Sequence, residues 1–87
     1  MNSEPVKVNV LFFGAAAEIA GKRDKEFSFA AKTNAREALG KILAAYPVLN
    51  ERFENSLLLA INQEYVKGDE VLHEGDELAV IPPVSGG

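Results

Sequence analysis

The residues whose types and spacing could do chemistry stand at the end of the chain, in Ile81-Pro82-Pro83-Val84-Ser85-Gly86-Gly87. Two glycines at a free C-terminus, after a strand-like stretch and a stiff Pro-Pro exit, predict a thin tail able to thread a narrow active site. Glycine has no Cβ, so a partner's walls can close around the backbone and the last carboxylate arrives without side-chain crowding. The chemistry on offer is that of the Gly87 carboxyl group, with Gly86 giving clearance. The rest of the chain would be its holder.

Little else in the chain competes for a catalytic role. Cysteine is absent, which excludes disulfides, thiolate zinc sites and a persulfide carried on this chain. The single histidine, His73, sits in a polar turn and reads as solvated, so Ser-His catalysis has little to draw on. Glu74, Asp76 and Glu77 are close in sequence, but a single turn offers poor geometry for a cation. No metal site is expected. Asn62-Gln63 reads as a hairpin turn, and Lys22, Arg23 and Lys25 as a small solvated basic patch.

The elements that must position this tail fit in one domain. With 87 residues, 47% hydrophobic and 25% charged, the composition is that of an ordinary globular protein with room for one small core. No apolar run approaches the roughly 20 residues that span a bilayer. The start, Met1-Asn2-Ser3-Glu4-Pro5, lacks the features of a secretory signal, so a cytoplasmic location is expected. A net charge of −4 argues against nucleic-acid binding, which calls for a basic face. It favours a protein partner with a basic surface.

Val6 to Phe13 alternates with period two and predicts a strand, broken by Gly14. Ala15 to Ala20 predicts a short helical turn closed by Gly21, and Asp24 to Phe29 a second strand that completes a hairpin. The strongest helix begins at Thr33 or Asn34; either can cap, and Asn34 with Glu37 has capping-box spacing. Ala35, Ala38, Leu39, Ile42, Leu43 and Tyr46 then form one helical stripe that ends at Pro47. Gly40 inside it predicts room left for a neighbouring element. Val48 to Asn55 reads as a loop or a further helical turn. Ser56 to Ile61, a nearly continuous apolar run, reads as a strand buried on both faces, Glu64 to Val66 as a short return strand, and Glu77 to Ile81 as the last strand. Phe12, Phe27 and Phe29 are assigned to the core. The order predicts an α+β fold, a mixed sheet packed on one main helix, with a domain over 1–81 and an extended tail over 82–87.

Four segments carry a resemblance: Val10-Leu11-Phe12-Phe13, Ala17-Glu18-Ile19-Ala20-Gly21, Leu59 to Val66, and Gly75 through the closing Pro-Pro-x-Ser-Gly-Gly. Together they resemble the small subunit of molybdopterin synthase, in register from about Val6 to Gly87. The resemblance implies a ubiquitin-like β-grasp and a sulfur-carrier role in molybdenum cofactor biosynthesis. It implies that an ATP-dependent, ubiquitin-activating-like adenylyltransferase activates Gly87, and that a sulfur donor converts it to a thiocarboxylate. The tail would enter the large subunit and donate sulfur to cyclic pyranopterin monophosphate, in a heterotetramer of two small and two large subunits. No cofactor would be bound by this chain; ATP belongs to the adenylating partner. Some members carry arginine where this chain has Ala17; if that arginine pairs with a partner carboxylate, the contact is missing here.

Docking is expected around the tail exit, through Phe13, Tyr65, Ile81, Pro82, Pro83 and Val84, apolar residues suited to the dry centre of an interface. Ser85 completes the tail. Alternatives are a sulfur carrier for thiamin thiazole synthesis, a ubiquitin-like protein modifier joined to lysines through Gly87, and an interaction module with a chemically silent tail.

Overall fold

The computed structural model describes residues 4–83; the expected tail residues Val84, Ser85, Gly86 and Gly87 lie outside them. The first strand, β1, runs Val6–Phe12 and buries Val8, Val10 and Phe12 on one face. Phe13 leaves the strand and becomes the N-cap of α1, Gly14–Ala20. Gly21 closes that helix in the left-handed region, φ 77°, with its N–H donating to the Ala17 carbonyl. Strand β2, Asp24–Phe29, then pairs antiparallel with β1.

Helix α2 spans Ala35–Ala45. The Asn34 side chain accepts from the Glu37 N–H at 2.8 Å, and the Glu37 carboxylate accepts from the Asn34 N–H at 3.0 Å. This reciprocal cap is worth about 1 kcal/mol. The next free donors of the helix start are satisfied from a loop: Ala35 N–H reaches the Glu70 carbonyl and Arg36 N–H the Gly68 carbonyl, both at 2.9 Å. The α2 stripe of Ala35, Ala38 and Ile42 is fully buried.

Pro47 ends one helix and begins another. Helix α3, Pro47–Phe53, starts on the proline, whose missing N–H has no partner to lose at a first helical position. A 3-10 turn, Glu54–Ser56, follows. Strand β3 is Leu58–Ile61, β4 is Glu64–Val66 and β5 is Glu77–Ile81. Asn62 and Gln63 join β3 to β4 with φ of 50° and 74°, the positive pair that a two-residue hairpin turn requires.

The sheet order is β2-β1-β5-β3-β4. β1 and β5 run parallel at its centre, and the other pairs are antiparallel. The helices lie over one face, and the core between them gathers Val8, Val10, Phe29, Ile42, Leu49, Leu78 and Val80. Fully burying such a side chain stabilises by about 1.5–3 kcal/mol before entropy is counted. This is the β-grasp: a mixed sheet on one main helix, as the element order predicts.

Two expectations need correction. Gly40 leaves room for no neighbour: it is exposed, and nothing lies within 4 Å of the position a Cβ would take. β3 is not buried along both faces, because Leu58 is 49% exposed while Leu59 and Ala60 are buried. A continuous apolar run conceals which parity faces out. Phe27 is only half-buried, stacked on Phe29 at 5.7 Å between centroids. Tyr46 caps α2 and meets Phe12 edge-on at 5.3 Å.

Candidate functional site

Two cross-strand rows build the uncovered face of the sheet. In one, Leu11 pairs with Ala79, Ala79 with Ala60, and Ala60 with Tyr65. In the next, Leu58 pairs with Ile81, one step beyond the Phe12–Val80 pair. Alternation puts these residues opposite Val80, Phe12 and Leu59, which point into the core. Ala60 and Ala79 at its centre are only 5% and 8% exposed, and large apolar side chains stand at its margins. Tyr65 is 71% exposed, Phe13 47% and Ile81 half-buried. A partner could dry such a face.

The tail root is fixed at the same corner. The Phe13 N–H donates to the Val80 carbonyl at 3.2 Å, which continues the β1–β5 ladder past the end of β1. Gly14 adopts φ 53°, and Pro82 Cγ lies 3.7 Å from where its Cβ would stand. Pro82 is thus seated beside the β1–α1 junction, half-buried, and Pro83 follows it into solvent. Neither proline can donate to a strand, so the sheet cannot extend through them.

An open groove of about 760 Å³ adjoins this corner, lined by Leu11, Phe13, Gly14, Ala17, Lys22 and Arg23 among others. Ala17 is half-buried in it. Lys22 and Arg23 and, of opposite sign, Glu18 also line it, so charge of both signs stands beside the uncharged Ala17.

The structure therefore brings Phe13, Ile81, Pro82 and Pro83 together, and sets Tyr65 on the same face at the far edge strand. Leu11, Leu58, Ala60 and Ala79 belong to this surface and were missed by sequence reasoning. The signal was available for Leu11 and Ala79, which have the parity opposite to the core residues of their strands.

The acidic residues near the last turn serve the backbone. Glu74 accepts from the Lys7 N–H at 2.8 Å, and Asp76 accepts from the His73 N–H at 2.8 Å and from the Asn62 side chain at 3.0 Å. Asn62 accepts in turn from the Glu77 N–H. The His73 side chain is 78% exposed, 3.9 Å from Asp76. Among the described residues no group of three His, Cys, Asp or Glu is placed to hold a metal, and no helix is long and apolar enough to cross a membrane.

Comparison with known proteins decides the family. The model of the ThiS family matches residues 10–87. The chain belongs to the ThiS family. Within reach of it, the molybdopterin synthase sulfur carrier subunit of Caenorhabditis briggsae is 45% identical over 84 residues, covering 94% of this chain and 99% of that protein. Among solved structures, SAMP1 of Haloferax volcanii superposes with a TM-score of 0.83 at 30% identity, covering 93% of this chain and 99% of that one. The complex of subunits 1 and 2 of the molybdopterin-converting factor of Helicobacter pylori contains a chain with a TM-score of 0.65 at 26% identity, covering 94% of this chain and 100% of that one. These relatives place the ThiS-family chain in the ubiquitin-like β-grasp, as its topology requires.

Proposed function

We propose that this protein is the sulfur carrier subunit of a molybdopterin synthase, and that Gly87 is its working residue. The observation that carries the reading is the match to named molybdopterin synthase sulfur carrier subunits over 94% of the chain. The closing Pro-Pro-Val-Ser-Gly-Gly and the apolar face beside its root support it.

A carboxylate at neutral pH is a poor electrophile. An adenylating enzyme would join the Gly87 carboxylate to the AMP portion of ATP, with pyrophosphate leaving. Hydrosulfide supplied by a sulfur donor would then attack the acyl carbon, AMP would leave with the bonding pair, the proton would pass to solvent, and a thiocarboxylate would remain. That group is anionic and nucleophilic. Held on a thin tail inside a large subunit, it would meet cyclic pyranopterin monophosphate as a positioned reactant, which removes much of the entropic barrier. Two sulfurs make a dithiolene, so the carrier would leave as a carboxylate and be recharged. In this scheme Gly87 is a co-substrate terminus, and acid-base chemistry belongs to the large subunit. Phe13, Ile81, Leu58 and Tyr65 would form the dry part of the joint.

The likeness to SAMP1, a small archaeal modifier protein, favours a second reading, in which Gly87 is conjugated to lysines of target proteins. Co-purification from cells discriminates. A molybdopterin synthase large subunit as the main companion supports the carrier, a thiazole synthase would move the chain to thiamin synthesis, and isopeptide adducts on many proteins would make it a modifier.

A further inference from the structure

A second groove lies on the other flank of the molecule, between α2 and the β3–β4 edge, with a volume of about 330 Å³. Its floor is aliphatic. Leu57 and Leu59 are buried there, and Leu39, Leu43 and Val66 are half-buried. β4 is three residues long and its pairing with β3 stops at Leu59–Val66. On the β4 side, the edge of β3 at Leu58 therefore has no strand beside it among the described residues.

The charge of this groove runs against that of the chain. The sequence carries 13 acidic and 9 basic residues, yet the only charged side chains lining the groove among the described residues are Arg36 and Lys67. Neither has a carboxylate within salt-bridge distance among those residues. Glu70, in the following loop, is occupied with the N–H groups of Gly68 and Lys67 at 2.9 and 3.4 Å. Arg36 makes one long hydrogen bond, 3.4 Å to the Lys67 carbonyl, which leaves most of its five donors free.

We propose that this groove docks an acidic, aliphatic peptide segment of a partner protein. The aliphatic residues would fill the leucine floor, and flanking aspartates or glutamates would pair with Arg36 and Lys67. An extended segment could also take up the unpaired edge of β3. The groove shares Leu58 with the face beside the tail root but does not depend on what Gly87 carries. Charged groups at the rim would set orientation and exclude basic segments.

The test uses the full 15N-labelled chain and two synthetic peptides with blocked ends. Both contain the same short run of valine, isoleucine and leucine, flanked in one by aspartates and in the other by lysines. The aspartate peptide should give saturable amide shifts confined to Arg36–Leu43, Leu57–Leu59 and Val66–Lys67. The lysine peptide should bind at least about tenfold more weakly. R36E and K67E should each weaken the aspartate peptide by about the same factor while the melting temperature stays near that of the parent. R36E puts a carboxylate in the first turn of α2, where the helix dipole tolerates it, and K67E, in the exposed segment after β4, gives an independent reading. No saturable shift, equal binding of both peptides, or shifts centred on Leu11, Phe13 and Tyr65 would overturn the proposal. Concentration-dependent shifts at the groove without peptide would assign it to a second copy of this chain instead.

Discussion

The N–H of Phe13 donates to the carbonyl of Val80 across 3.2 Å, and this bond joins the start of α1 to the strand that launches the tail. It holds the exposed ring of Phe13 against the residue that precedes Ile81 and, one further on, Pro82. The tail root and the apolar face are consequently one surface, organised by the parallel pairing of β1 with β5.

Charge placed on that surface should weaken docking without unfolding the domain. F13D and I81D are each expected to raise the Kd for the large subunit by about tenfold to a hundredfold, as loss of an apolar anchor does. Titration calorimetry of each variant, paired with its melting curve, checks this. Unchanged affinity in a folded variant removes that residue from the joint.

Gly40 and Gly21 should respond oppositely to alanine. Gly40 sits within α2 with ordinary helical backbone and open space at its Cβ position. G40A should therefore stabilise by about 1 kcal/mol and raise Tm by roughly 4–8 °C. Gly21 also has open space, but its φ is 77°, so G21A should destabilise by about 1–2 kcal/mol. Thermal unfolding of both variants measures the pair. A stabilised G21A would contradict the left-handed cap.

Glu70 supplies a pH-dependent clamp on the loop that seats α2. The Gly68 N–H, with further help from the Glu70 and Lys67 amides and from Asp69, holds its carboxyl below the ordinary 4.5, against a smaller effect of desolvation. A folded-state pKa below the unfolded one means stabilisation that is complete above pH 4.5 and disappears as pH falls through the lowered value. E70Q should remove that part of the acid sensitivity. A carbon-detected NMR titration gives the midpoint directly, and a value at or above 4.5 would refute the clamp.

What could be read from the residues was local. The Asn34–Glu37 cap, the Gly21 stop and the Asn62-Gln63 turn each depend on a few neighbouring residues, and each forms as expected. Phe13 and Ile81 are singled out by their place at strand ends beside the tail exit, and the structure leaves the first 47% exposed and the second half-buried. Leu58 was hidden in a continuous apolar run, where parity gives no face. Pro47 is ambiguous in a sequence because it both ends α2 and suits the first position of α3. That Gly40 has no neighbour depends on how α2 sits on the rest of the chain, which no local pattern encodes. The parallel β1–β5 contact joins residues nearly the whole chain apart, and together with the β3–β5 pair it makes one surface of Phe13, Ile81 and Leu58.

The terminus itself should tolerate no change. G87A, or one residue added after Gly87, is expected to abolish sulfur transfer to the pyranopterin while leaving the melting temperature and large-subunit affinity close to those of the parent. Single-turnover assays with assembled synthase measure it. Full activity in either variant would contradict the tail mechanism.

The most direct test is the intact mass of the full chain after incubation with ATP, a sulfur donor and its adenylating enzyme. A shift equal to the exchange of oxygen for sulfur, mapped by fragmentation to Gly87, is the result expected of a sulfur carrier. An unshifted mass, with an enzyme shown to be active on another carrier, would contradict it.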